Sequence, residues 1–164
     1  MTIQVDPSKP LRLARQWLRP PAVEQRLMHW AEQLLREGVI EPTSSPYVSN
    51  LLEVAKRDVT GKRIGVRVVI DPRPINSVTI PIYNPPARVE QLGEFLVGKK
   101  RFMKFDMQDC FLQFELERES RKYCTFVVGR KSFQFRRVAF GLKNAPMQVK
   151  CEMDKFLEKV QDVA

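Results

Sequence analysis

Residues 104–111 read Lys104-Phe105-Asp106-Met107-Gln108-Asp109-Cys110-Phe111. Apolar residues lead up to Asp106, and the pattern predicts a strand over Arg101–Met107 that ends near a carboxylate. A charge at the end of an apolar strand is costly unless water, a cation or a metal ion meets it. The stretch alone fits a solvated strand end as well as a site. A further strand, Phe111–Leu116, is predicted just after it.

Working outward, strands are predicted over Tyr47–Lys56 and Ile64–Ile70, joined by a loop at Asp58–Arg63 that contains Gly61. Asp71-Pro72-Arg73-Pro74 ends the second of these, because proline cannot donate to a ladder. Pro85-Pro86 opens a short helix carrying Val89, Leu92 and Leu96, with Gly98 as its stop. Tyr123–Val128 and Phe133–Val138 form a hairpin around Gly129. On the N-terminal side, residues 1–21 mix proline and arginine around Trp17 and read as an arm or linker. A helix follows Pro20-Pro21, with Val23, Leu27, Trp30 and Leu34 on one stripe and Gly38 at its end. The last helix begins at Asn144, a good N-cap, with Pro146 in its first turn and Val149, Met153, Phe156 and Val160 on one face. Strands and helices without strict alternation give an α+β fold class.

The chain has 164 residues, enough for one domain or two subdomains sharing a core. With 43% hydrophobic and 29% charged residues, collagen-like and disordered classes are excluded. No apolar run is long enough for a membrane span, and no secretory leader is visible. Three cysteines without CxxC spacing argue against a disulfide framework and for an intracellular location, cytoplasmic or nuclear. The single histidine, His29, lies in a helical pattern, so neither a zinc site nor a histidine-based triad is supported. The net charge of +9 is concentrated. Residues 56–73 carry +4, 99–104 carry +4 and 118–137 carry +6, while the rest is net acidic. Phe102, Tyr123, Phe126, Phe133 and Phe135 are interleaved with these blocks. A polyanion-binding groove and a solvated basic face both fit that pattern.

The motifs in combination are more specific. Glu37-Gly38-Val39-Ile40-Glu41-Pro42 precedes Ser44-Ser45-Pro46-Tyr47; Arg67-Val68-Val69-Ile70-Asp71-Pro72-Arg73-Pro74-Ile75-Asn76 follows a Lys-Arg-Asp turn; then come Phe105-Asp106, Phe111 with Gln113, and Ala139-Phe140-Gly141-Leu142-Lys143-Asn144-Ala145-Pro146. In this order and spacing, from about residue 22 to the C-terminus, the chain resembles the reverse transcriptase, an RNA-directed DNA polymerase, of gypsy-type LTR retrotransposons and retroviral pol.

That resemblance implies a right-hand polymerase fold with fingers and an incomplete palm. Residues 1–21 are then an arm, 22–80 and 117–138 fingers, and 81–116 and 139–164 palm. Asp106 matches the first catalytic aspartate, which binds Mg²⁺ together with the Met107 backbone carbonyl. Lys56 and Arg67 match the residues that hold the incoming triphosphate, and Asp109, Cys110 and Phe111 match nucleotide-contacting positions. Phe111 is the matching steric gate against a ribose 2′-hydroxyl. Phe140, Gly141, Asn144 and Pro146 match template- and primer-contacting positions. Arg57, Lys62, Arg63, Lys99, Lys100 and Arg101 form the expected nucleic-acid basic patch. Asp71 and Arg73 match a structural charge pair.

The sequence departs from the family at several points. Asn50 and Ala139 stand where proline is usual, Lys143 stands for threonine, and Val149-Lys150 stand for Phe-Gln. Pro72 and Pro74 flank Arg73 where an aromatic and a small residue are common. Lys143 adds a positive charge that favours phosphate. No Asp-Asp pair occurs in the sequence, and the family's other two catalytic aspartates lie in a Tyr-x-Asp-Asp hairpin beyond the last helix. Two-metal catalysis needs several carboxylates. The expectation is therefore a truncated, inactive chain that does not hold Mg²⁺ stably, with self-association through uncovered palm faces. Expected partners are an RNA or DNA template-primer and a dNTP. The rival readings are a non-catalytic nucleic-acid-binding remnant and a degenerate element with no selected role.

Overall fold

The computed structural model describes residues 1–11, 14–83, 96–101, 103, 104 and 106–161. The first long helix, α1 (Pro21–Arg36), starts with proline in its first turn, where the missing N–H costs no helical bond. Leu27, Ala31 and Leu34 are its buried stripe. Gly38 takes φ +68°, the Gly38 N–H donates to the Leu35 carbonyl at 3.1 Å and the Val39 N–H to the Leu34 carbonyl at 2.9 Å. This paired closure satisfies the last helical carbonyls and turns the chain into the sheet.

The core is that helix packed on a four-stranded sheet of order β1-β6-β5-β2, formed by β1 (Ile40–Pro42), β2 (Val48–Ser49), β5 (Thr125–Val128) and β6 (Lys131–Phe135). β2 pairs with β5 in parallel and the other pairs are antiparallel. Trp30 of α1 stacks over the sheet, its ring centroid 5.5 Å from Phe126 and 6.4 Å from Phe135. Phe126 is fully buried, and burial of a ring that size is worth about 1.5–3 kcal/mol. Gly129, at φ +60°, makes the two-residue β5–β6 turn, and its N–H donates to Glu24 Oε1 of α1 at 3.0 Å.

β3 (Leu51–Arg57) and β4 (Arg63–Ile70) form a separate antiparallel ribbon. Only its base is buried, at Leu51 and Ile70, so the rest stands off the body. Asp71 leads into α2 (Arg73–Val78), a helix the proline-rich stretch did not predict. Pro74 is tolerated there because it falls in the first turn. A four-residue helix, α3 (Arg118–Arg121), precedes β5, and α4 (Ala145–Gln161) follows the sheet. Among the described residues no helix is long and apolar enough to cross a membrane.

Three expectations are corrected. The described residues of Arg101–Met107 take no strand, since none finds a ladder partner among the described residues. Phe111–Leu116 is not a strand either. Asp109 adopts the left-handed φ 46°, ψ 41°, which reverses the chain into a 3-10 turn at Cys110–Gln113, and only Glu115 forms an isolated bridge, to Arg137. The N-terminal arm is not a loose linker. The Ile3 N–H donates to Ser120 Oγ at 2.8 Å, Val5 bridges to Thr79, and Met1, Ile3, Val5 and Leu11 pack on the core. Further along, both polar atoms of the Asn50 side-chain amide hold the arm: Nδ2 donates to the Arg15 carbonyl at 3.0 Å and Oδ1 accepts from the Trp17 N–H at 3.2 Å.

Val89 and Leu92 of the expected short helix, with Phe102 and Phe105, lie outside the described residues. On the expected face of α4, Val149 and Met153 are half-buried but Phe156 is exposed, with Leu157 beside it. The thiol of Cys124 is fully buried, which pushes its pKa up to about 12.

Candidate functional site

An open groove of ≈ 340 Å³ lies between α1, the β3–β4 ribbon and the segments around Asp109 and Phe140. Four residues singled out from sequence line it: Lys56, Arg67, Asp109 and Phe140. Cross-strand register explains the first two. Arg67 opposes Val54, and Lys56 lies two residues beyond Val54, so both cations share one face of the ribbon. The Arg67 guanidinium carbon sits 5.5 Å from the centre of the Phe140 ring, a cation–π arrangement. Phe111 meets Phe140 edge-on, centroids 5.6 Å apart at 86°. One aromatic pair thus carries a guanidinium over the groove floor.

Asp106 is exposed, and it and Met107 lie outside the described lining of the groove. Cys110 turns its Sγ to Met107 Sδ at 4.0 Å. Among the described residues, no three or more His, Cys, Asp or Glu gather as a group able to hold a metal ion. Asp106 is a single carboxylate donor, and a pair of divalent cations needs several. The described donor set therefore does not fit a two-metal centre.

The basic patch divides. Arg57, Lys62 and Arg63 are exposed at the outer end of the ribbon, where Arg57 Nη1 also donates to the Gly61 carbonyl at 2.8 Å. Lys99, Lys100 and Arg101 are exposed on the segment before Asp106.

The 140–146 stretch is fastened from two sides. Asn76 Nδ2 donates to the Gly141 carbonyl and Asn76 Oδ1 accepts from the Lys143 N–H, both at 2.8 Å. Asn144 Nδ2 donates to the Ile80 carbonyl at 2.7 Å and its Oδ1 accepts from the Ile82 N–H at 3.0 Å. The side chain read from sequence as an N-cap and template contact is thus engaged with a neighbouring segment. Pro146 is exposed in the first turn of α4. Lys143, whose charge was expected to favour phosphate, also reaches back onto the fold. Its Nζ lies 3.3 Å from the Asn76 carbonyl and 3.1 Å from the Thr79 carbonyl, at the electronegative end of α2, which favours a cation there.

Two ionic groups brace the surroundings. Arg73 clasps the buried Asp71 with Nη2 2.7 Å from Oδ2. Hydrogen bonds from Arg73 hold the Asp71 carboxyl below its ordinary value. Sequence reading missed the second group. Burial pushes Glu41 up, but the hydrogen bond from Gln134 Nε2 at 2.7 Å and the bonds and charge of Arg121, with the charge of Arg136, leave it net lowered. Its members come from β1, α3 and β6 and beyond, so no local pattern signals it. Asn76 was quoted only as part of a motif, since a lone asparagine carries no signal of what it will reach.

The family model for reverse transcriptase (RNA-dependent DNA polymerase) matches residues 54–164, more than half of the chain. The chain belongs to the reverse transcriptase family. It is 32% identical over 130 residues to the retrovirus-related Pol polyprotein from transposon gypsy of Drosophila melanogaster, covering 78% of this chain and 12% of that polyprotein. The Pol polyprotein from transposon opus of the same species is 30% identical over 128 residues, 78% of this chain and 13% of its own length. The enzymatic polyprotein of cauliflower mosaic virus (strain D/H) is 30% identical over 151 residues, 92% of this chain and 22% of that protein. This reverse transcriptase domain therefore spans between 12% and 22% of these relatives. The gypsy-type resemblance read from the motifs holds.

Proposed function

We propose that the groove is the incoming-nucleotide site of a reverse transcriptase, with Lys56 and Arg67 holding the triphosphate. The observation that carries this reading is the shared placement of Lys56, Arg67 and Phe140 in one open groove. A guanidinium presents planar donors to phosphate oxygens, and an ammonium adds a compact charge. Resting on a ring, the Arg67 head is partly oriented before any ligand arrives, which lowers the ordering cost of binding. Phe111 packs edge-on against Phe140 behind the groove's described lining; in this reading it is the residue that would exclude a 2′-hydroxyl.

In the right-hand polymerase reading, residues 22–80 and 117–138 serve as fingers, and 81–116 and 139–164 as the start of the palm. Arg57, Lys62 and Arg63 on the projecting ribbon, and Lys99, Lys100 and Arg101, contact template or primer phosphates. The parent reaction is templated addition of dNMP to a primer 3′-hydroxyl with release of pyrophosphate. In that chemistry divalent cations such as Mg²⁺ neutralise the phosphates. Asp106 contributes one carboxylate, so this chain binds nucleotide and nucleic acid without catalysing extension by itself.

The test uses an RNA template annealed to a DNA primer, with dNTPs, Mg²⁺ and the purified chain. The expected result is no extended primer. Mg²⁺-dependent extension that disappears in Asp106→Asn would contradict the inactivity of the isolated chain.

A further inference from the structure

We propose that Asn76 is a positioning residue for nucleotide binding, acting through the 140–143 turn on the Phe140 ring that carries Arg67. The inference rests on the groove being a triphosphate site. Asn76 sits on α2, outside the groove's described lining. Its one amide group bonds both ends of the turn, the Gly141 carbonyl and the Lys143 N–H. The turn therefore cannot rotate about Gly141 without breaking both bonds.

Such a restraint is needed there. Gly141 stands at φ +89°, and a glycine explores φ of either sign without steric resistance. Nothing in its own side chain holds the peptide, so the clasp must. Lys143 reinforces it from outside with its contacts to the Asn76 and Thr79 carbonyls, and Asn144 returns it through Ile80 and Ile82. Phe140 immediately precedes this pinned glycine, half-buried between Phe111 and Arg67. A cation–π contact depends on the ring lying under the cation, so freedom at Gly141 becomes freedom of the Arg67 head.

The experiment is a double-mutant cycle on the whole chain in a Trp17→Phe background, which leaves Trp30 in the groove wall as the single tryptophan reporter. The probe is dTTP, titrated while Trp30 fluorescence is followed. Phe140→Ala is expected to weaken binding roughly threefold to thirtyfold, the span of a cation–π contact between exposed and desolvated settings. Asn76→Ala should weaken it by a similar factor, and the double variant should be no weaker than the worse single, because both act through one ring. Ser77→Ala, which removes only a hydroxyl bonded to the Pro74 carbonyl on the same helix, should leave affinity unchanged. If Asn76→Ala does not fold, Asn76→Asp takes its place in the cycle, losing the donation to Gly141 while keeping an acceptor for Lys143.

Unchanged affinity on loss of Asn76, while Phe140→Ala and Arg67→Ala weaken binding, overturns the inference and leaves the groove reading standing. Factors that multiply in the double variant also overturn it, since Asn76 would then act independently of Phe140. Absence of dTTP binding in the parent chain, or indifference to Arg67→Ala, removes the groove reading and this inference with it.

Discussion

The Asn144 side chain and the Ile80 backbone are joined at 2.7 Å, Nδ2 donating to the carbonyl, while Asn144 Oδ1 accepts from the Ile82 N–H at 3.0 Å. The asparagine is buried, so both bonds form with little competition from water. Truncation would leave peptide groups without partners, at a cost of about 1–2 kcal/mol. Asn144→Ala should therefore lower the denaturant midpoint by a corresponding amount with an unchanged slope. An unaltered midpoint would mean that the clasp contributes nothing to stability.

Gly141 and Gly65 make a paired prediction about backbone. A Cβ at Gly141 would lie 2.9 Å from Pro72 Cγ and would sit at φ +89°. Gly65 lies in β4 with nothing within 4 Å of the same atom and no left-handed φ. Gly141→Ala should destabilise by about 1–3 kcal/mol through strain and clash. Gly65→Ala should be neutral or slightly stabilising, because it removes unfolded-state freedom. Thermal unfolding of the two variants side by side reads the difference directly.

Asp71 and Glu41 contribute to the acid limb of stability. Both carboxyls are held below their ordinary values of 3.8 and 4.5, Asp71 chiefly by hydrogen bonds from Arg73, Glu41 by partners that outweigh its burial. A depressed folded pKa means the unfolded state binds protons first. The stabilisation is therefore complete above the ordinary values and lost as pH falls through them toward the folded values. Denaturant titrations from pH 6 down to pH 3 should show stability falling below about pH 4.5. Glu41→Gln should flatten that fall, whereas an identical acid limb in the variant would remove Glu41 from the cause.

Elements whose signal is local were legible in the sequence. The Val23, Leu27, Trp30, Leu34 stripe, the Gly38 stop and the Gly129 hairpin all depend on periodicity or on a backbone angle only glycine favours. Lys56 and Arg67 were reached through motif resemblance, and strand register brings them to one face. Long-range pairings were not legible. The packing of the arm was hidden because its partners, Ser120, Thr79 and Asn50, are far along the chain. Residues 111–116 looked like a strand because an apolar run carries no sign that Asp109 will turn left-handed ahead of it. The contacts of Lys143 to the Asn76 and Thr79 carbonyls were not legible either, because its sequence neighbours do not reveal them.

The most direct measurement is the dissociation constant of dTTP by isothermal titration for the parent chain, Lys56→Ala and Arg67→Ala at one fixed ionic strength. A charge-assisted bond to phosphate is worth about 1.5–3 kcal/mol, so each truncation should weaken a single saturable site by roughly tenfold or more. No binding by the parent chain, or one affinity shared by all three proteins, would contradict the assignment of the groove as the nucleotide site.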